Sequence, residues 1–238
     1  EQVILVDNED NQIGSMSKVD AHRGAGVLHR AFSILLFDEK DRLLVQRRAN
    51  HKITFPDVWA NTVCSHPLSI PTESDDTYAG LGSKVAAIRK MKQEMGIIQG
   101  SIPIDDIHFI TRMIYRARAD EIWVEHELDH ILFARVHSSI EVKPNPNEIS
   151  EISWVTENQL KEWLLDKNPS KGIIAPWFRL IAENILPEWW GNLDGLPAKS
   201  DELVRDMGEV VMTDDDETQG SNSSVMAALK FHKDAVES

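Results

Sequence analysis

Asn61-Thr62-Val63-Cys64-Ser65-His66-Pro67-Leu68 holds the lone cysteine of a 238-residue chain, two positions from a histidine and beside small hydroxylic residues. Without a second cysteine there is no internal disulfide, so Cys64 is a buried small apolar residue, a metal ligand or a reactive thiol. Packing is the default, because free cysteine is among the most buried residue types. Further along, Trp123-Val124-Glu125-His126-Glu127 sets two glutamates one residue apart within a run rich in β-formers, Glu121 to His137. Alternate side chains of a strand share a face, so Glu125 and Glu127 point one way and His126 the other. Alone, such a pair reads as a solvated strand face. The supply of imidazoles changes that reading: His22 and His29 stand upstream in Lys18-Val19-Asp20-Ala21-His22-Arg23 and Leu28-His29-Arg30-Ala31-Phe32-Ser33, and His66 follows the cysteine. Three histidines and two carboxylates suit a divalent metal, and this mixed N/O set accommodates Zn²⁺, Mn²⁺ or Mg²⁺.

The surrounding pattern is a mixed α/β order. Val3 to Val6 and Gln12 to Met16 read as a hairpin around Asp7-Asn8-Glu9-Asp10-Asn11, and Ala31 to Phe37 with Arg42 to Gln46 as a second pair. Ile70 to Gly82 is a loop feeding a helix from Ser83 to Met95, where Val85, Ile88, Met91 and Met95 keep helical spacing and Gly96 ends it. Strands follow at Ile107 to Tyr115, Glu121 to His137 and Glu148 to Val155. Thr156 with Gln159 forms a capping box for a helix ending near Leu165, and a last helix spans Ala175 to Ile185.

Taken together and in order, these motifs resemble those of type I isopentenyl-diphosphate isomerases, which interconvert isopentenyl and dimethylallyl diphosphate on a Nudix-like fold. The matching residues are Lys18 with His22, then His29 to Ser33, then Leu44-Val45-Gln46-Arg47-Arg48 with Lys52 and Phe55-Pro56. They continue through Asn61 to Leu68, Gln93-Glu94-Met95-Gly96-Ile97, Tyr115, Glu125-His126-Glu127, Asn145-Pro146-Asn147-Glu148 and Pro176-Trp177, so the resemblance covers about residues 3 to 190. It implies an α/β (α+β) architecture, a mixed β-sheet sandwiched by helices. It also implies an intramolecular transposition of a C=C bond, a step in isoprenoid precursor biosynthesis. By resemblance, Glu127 delivers a proton to the alkene with Tyr115 beside it, Cys64 removes a proton from the opposite face, and Trp177 shields the cation. His22, His29, His66, Glu125 and Glu127 then hold one divalent ion, Zn²⁺, Mn²⁺ or Mg²⁺. Glu94 helps hold a Mg²⁺ on the substrate diphosphate, which Lys18, Arg48, Lys52, Ser65 and Lys90 bind, with Arg89 as an alternative to Lys90. Lys90 departs from the pattern, since relatives more often carry arginine there, and lysine loses the bidentate geometry. Other departures are Asp57, where glycine is usual, and Val124 and His130 around the glutamate pair.

The helix from Ser83 to Met95 also separates the isomerase from a hydrolase. Nudix hydrolases cleave diphosphates with the pattern G-x5-E-x7-R-E-U-x-E-E-x-G-U, whose glutamates hold catalytic Mg²⁺. Here Lys90, Gln93 and Leu81 occupy three of the glutamate positions, and Glu94 alone remains. A hydrolytic site without those carboxylates lacks its metal ligands. A Nudix-like binding module would also explain the missing glutamates, but not the joint presence of Cys64, Glu125, Glu127 and three histidines.

Composition is compatible with this picture. A formal net charge of -14 disfavours nucleic-acid binding, so the diphosphate must be met by local cations and metal. With 42% hydrophobic residues the chain can fill one sizeable core, and no run of apolar residues is long enough to span a bilayer. The expected organisation is an isomerase domain over residues 1–191 and an acidic, mostly flexible tail over 192–238, with short helices at Asp201 to Met212 and Ser224 to Val236. A lone cysteine fits a reducing compartment, and the expected location is cytoplasmic, with plastid or peroxisome as alternatives; a monomer is the default expectation.

Overall fold

The computed structural model describes residues 1–75, 77–78, 80–166, 170–195, 200–212 and 229–231. The chain begins with a hairpin, β1 (Gln2–Val6) and β2 (Gln12–Ser17), and a single helical turn, α1 (Lys18–Ala21). Next come β3 (His29–Phe37), β4 (Leu43–Arg48), β5 (Trp59–Ala60) and β6 (Val63–Ser65), followed by α2 (Leu81–Met95). The long strands β7 (Ile107–Arg118) and β8 (Val124–Arg135) precede β9 (Ile149–Val155), α3 (Glu157–Leu165), α4 (Pro176–Asn184) and α5 (Leu186–Trp189). Two further strands, β10 (Val204–Met212) and β11 (Leu229–Phe231), complete the described elements.

All strands join one mixed sheet, in the order β11-β10-β7-β8-β3-β1-β2, with β6 and β4 also meeting β3. Every residue of β3 is buried. That is the signature of a central strand covered on both faces, and β3 runs parallel to β8 along its whole length. Alternation along β3 then feeds two cores. Leu35 and Phe37 pack with α3, α4 and α5 through Leu160, Trp163, Phe178 and Trp189. Phe32, Ile34 and Leu36 pack against Met91 and Met95 of α2 on the other face.

Local signals account for most boundaries. Thr156 caps α3 with both bonds of a capping box in place. Gly96 ends α2 in the left-handed region at φ 65°, which glycine adopts without strain. Gly82, in the first turn of α2, lies so near the loop before it that a Cβ would fall 2.2 Å from the Glu73 carbonyl oxygen.

Two expectations are corrected. The β3 and β4 strands meet only at Phe37 and Leu43, whereas β4 forms its long ladder with β9. Residues Asp201 to Met212 contain a strand instead of a helix: β10 runs parallel to β7, and its Val210 is fully buried. The β-branched Val204, Val210 and Val211 favour extended backbone, and the open edge of β7 supplies the pairing that decides it. The helix expected at Ser224 to Val236 lies outside the described residues, apart from Leu229–Phe231, which is β11.

Candidate active site

Register places the central groups. His29 of β3 lies opposite Glu127 of β8, and Glu127 opposite Tyr115 of β7, so the three stand in a row across adjacent strands. On the other side of β3, Ser33 lies opposite Cys64 of β6. His22 follows α1, and its carbonyl accepts the Val124 N–H at 2.8 Å, which fastens this turn to the start of β8.

His22, His29, His66 and Glu127 are all buried, and one donor atom from each lies within 4.8 Å of the others. The three rings are 4.6 to 5.0 Å apart between centroids. The Nδ1 atoms of His22 and His29 each face a backbone carbonyl, of Lys18 and Val27, at 2.7 Å. A carbonyl only accepts, so these nitrogens carry the proton and each Nε2 turns a lone pair inward, 3.7 Å from Glu127 Oε1. His29 Nε2 has no hydrogen-bond partner there. Three inward imidazoles around a carboxylate oxygen, one of them bare, have the donor chemistry of a divalent-metal site. Glu125 is outside this group of four, although it was expected as a fifth ligand.

Glu125 and Glu127 do share a face, as alternation predicts, and both line the same cavity of about 340 Å³. The Tyr115 hydroxyl lies 2.6 Å from Glu127 Oε2 and 3.2 Å from Glu125 Oε2. Burial raises the Glu127 carboxyl, but the three imidazoles outweigh it and hold the group well below the usual carboxylate range. Burial and the charge of Glu127 raise Glu125. The Tyr115 hydroxyl has one proton and two carboxylate neighbours, so it joins the two groups. Burial pushes the Cys64 thiol up, with the Arg48 charge opposing.

The cavity is lined as well by Lys18, Arg48, Lys52, Ser65, Lys90, Glu94 and Trp177. Lys52 pairs with Glu148 at 2.6 Å and Lys90 with Glu94 at 2.8 Å. Burial and neighbouring Lys90 lower Lys18. Arg48 donates to the Phe55 and Thr54 carbonyls at 2.9 Å, and its guanidinium sits 5.4 Å from the Trp177 ring centre. Trp177 Nε1 donates to Asn61 Oδ1 at 3.2 Å, which fixes the indole plane.

Arg89 does not join them. It grips Glu73 with two bonds, at 2.6 and 2.8 Å, and donates to the His66 carbonyl at 3.2 Å. Its role is to hold the segment carrying His66, where Glu73 also accepts the Leu68 N–H. Asp57 occupies a left-handed position at φ 63°, which explains why glycine suits it, and its carboxylate pairs with Arg47 at 2.8 Å. Gln46, Trp123, Thr54, Val19 and Ile53 line the cavity and were given no role from sequence, although Gln46 and Trp123 lie inside the motifs quoted above. The discoverable signal is Gln46, a buried polar residue directly after the apolar run Leu43-Leu44-Val45.

A curled mixed sheet, a helix ending Glu94-Met95-Gly96 and a site at their junction define a Nudix-domain protein, and the NUDIX domain model matches residues 27–178. A crystal structure of a Deinococcus radiodurans protein shares the fold, with a TM-score of 0.53 at 18% identity over 76% of this chain and 97% of that one. The isopentenyl-diphosphate delta-isomerase of Gibberella zeae is 46% identical over 202 residues, covering 82% of this chain and 77% of that protein. The Bos taurus isopentenyl-diphosphate Delta-isomerase 1 is 42% identical, over 82% of this chain and 87% of the relative. A chloroplastic isopentenyl-diphosphate Delta-isomerase II of Arabidopsis thaliana is 41% identical, over 82% and 70%. The chain belongs to the isopentenyl-diphosphate delta-isomerase family.

Proposed function

We propose that this chain interconverts isopentenyl diphosphate and dimethylallyl diphosphate by adding a proton on one side of the alkene and removing one on the other. The observation that carries the reading is one cavity lined by Cys64, the Tyr115–Glu125–Glu127 group, the Trp177 ring and four basic side chains. An unactivated alkene is a weak base, so the donor must be strongly acidic and water must be kept from the tertiary cation. Glu127 delivers the proton to the terminal carbon, and Tyr115 hydrogen-bonds it beside Glu125. The Trp177 face stabilises the cation by about 2 kcal/mol or more in a dry site. Cys64, as thiolate with the Arg48 charge favouring that form, takes the proton from the carbon two bonds away, which closes the new double bond. Each turnover leaves the thiol protonated and the glutamate pair one proton short, and reset returns that proton.

His22, His29, His66 and Glu127 would hold a divalent ion, Zn²⁺, Mn²⁺ or Mg²⁺, with Glu125 close by. When bound, that ion makes the Glu127 carboxyl a stronger acid and fixes its orientation. Glu94, with oxygen-only chemistry, suits a Mg²⁺ that travels with the diphosphate. Lys18, Arg48, Lys52, Lys90 and Ser65 bind the diphosphate itself. The unpaired thiol suits a reducing compartment such as the cytosol.

Incubation with isopentenyl diphosphate, a nucleoside diphosphate-linked substrate and Mg²⁺ tests this reading against its rivals. Allylic diphosphate is the expected product. Released phosphate would make the chain a hydrolase, and no product at all would leave a binding module.

A further inference from the structure

Gln46 is a buried, cavity-lining polar side chain to which the reaction above gives no task. Its Cα lies opposite Ala60 of β5 and Ile152 of β9. It is 2% exposed, yet its Oε1 has no hydrogen-bond partner. Buried polar atoms are nearly always paired, and an apolar residue of the same size would be cheaper here. Leu43, Leu44 and Val45 before it follow that rule. A glutamine that breaks the pattern in the wall of a substrate cavity is a residue kept for its ligand.

Position narrows the ligand. Gln46 stands two residues before Arg48, with a register shift of the β4–β9 ladder between Arg47 and Arg48. Both line the cavity together with Lys90 and Glu94 of α2, and Ile152, opposite Gln46, packs in the core beneath α2. This wall carries cations and the single helical carboxylate, the groups suited to a metal-bound diphosphate. A carboxamide oxygen requires a donor. Ionised diphosphate oxygens have no proton to give, whereas the hydration water of Mg²⁺ turns its oxygen to the ion and both protons outward.

We propose that Gln46 contacts the hydrated Mg²⁺–diphosphate head of the substrate, its Oε1 accepting from a water of the ion's hydration shell. This rests on the diphosphate substrate and the Glu94 ion of the proposed function. The test is calorimetric titration of inorganic diphosphate into the full chain, with and without Mg²⁺, for the parent, Gln46→Met and Gln46→Glu. Gln46→Met keeps length and loses the acceptor, so its affinity in Mg²⁺ should fall about tenfold, the effect of one hydrogen bond in a charged setting. Without Mg²⁺ it should match the parent. Gln46→Glu keeps an acceptor and should retain Mg²⁺-dependent affinity. Ligand-free Gln46→Met should also melt at or above the parent temperature, because an unpaired buried amide has been removed.

Unchanged affinity of Gln46→Met in Mg²⁺, or an equal loss with and without Mg²⁺, would overturn the proposal. So would a marked drop in its melting temperature, which would make the amide a structural group. If the parent binds Mg²⁺ and diphosphate but forms no allylic product, the isomerase reading fails while the titration still decides the role of Gln46.

Discussion

Tyr115→Phe isolates the hydroxyl that joins the two glutamates. The ring is 1% exposed and packs in the main core, so phenylalanine preserves the packing and removes one oxygen. That oxygen is 2.6 Å from Glu127 Oε2 and 3.2 Å from Glu125 Oε2. A hydrogen bond to a charged group contributes about 1.5–3 kcal/mol. The Tyr115 bond strengthens as Glu127 gives up its proton and becomes anionic, so the loss falls mainly on the transition state. With tenfold in rate for each 1.4 kcal/mol or so, kcat should fall about 10- to 150-fold. The assay is the rate of acid-labile allylic product from labelled isopentenyl diphosphate, beside calorimetric binding of inorganic diphosphate. Lys18, Arg48, Lys52 and Lys90 are untouched, so diphosphate affinity should hold. A kcat close to that of the parent, or a loss of diphosphate affinity as large as the loss of rate, would refute the reasoning.

Three further outcomes are expected. His66→Ala removes a ring whose Nε2 lies 2.7 Å from Glu127 Oε1, so elemental analysis of purified protein should find less tightly held divalent ion than in the parent, and equal occupancy would remove His66 from the ligand set. Asp10 binds Arg30, Arg112 and His130 at 2.7 to 2.9 Å; burial raises its carboxyl, but these partners outweigh burial and hold it well below the usual range. Asp10→Asn should therefore cost about 3 kcal/mol at neutral pH by chemical denaturation, a cost that shrinks as pH falls below the unfolded value of about 3.9 and the parent carboxylate is protonated. A gap that widens in acid would contradict that sign. Truncation after Gly195 should lower the melting temperature, because it strips β10 from the strand that carries Tyr115 and exposes the partners of Val210, worth about 1.5–3 kcal/mol of burial. Truncation after Met212 should leave catalytic efficiency near that of the parent, and equal melting temperatures for the two cuts would deny β10 a structural role.

The strands and helices bearing the site were legible because their signals are local. Alternation in Glu125-His126-Glu127 gave the shared face, Thr156 and Gln159 gave the cap, and Gly96 gave the end of α2. Pairings between distant segments were less so. The run Asp201 to Met212 carries charges at spacings a helix tolerates, and only the free edge of β7 makes it a strand. Arg89 and Lys90 are adjacent cations on one helix, and sequence cannot tell which enters the cavity. Successive helical residues point about 100° apart, and Glu73, from a loop with no motif of its own, captures Arg89. Likewise, the resemblance names five metal-ligand candidates, and the geometry shows that His22, His29, His66 and Glu127 converge while Glu125 lies beside them under the Tyr115 hydroxyl.

The central claim is that two proton-transferring groups act on opposite sides of one alkene, and the rate of allylic product formation by folded Cys64→Ala tests it most directly. Cys64 lines the cavity on β6, across β3 from the strand that bears Glu127, and no other thiol exists in the chain to replace it. With diphosphate binding and melting temperature matched to the parent, the account predicts a loss of about 10²-fold or more, the effect of removing one acid/base partner. Activity within a few-fold of the parent would contradict it.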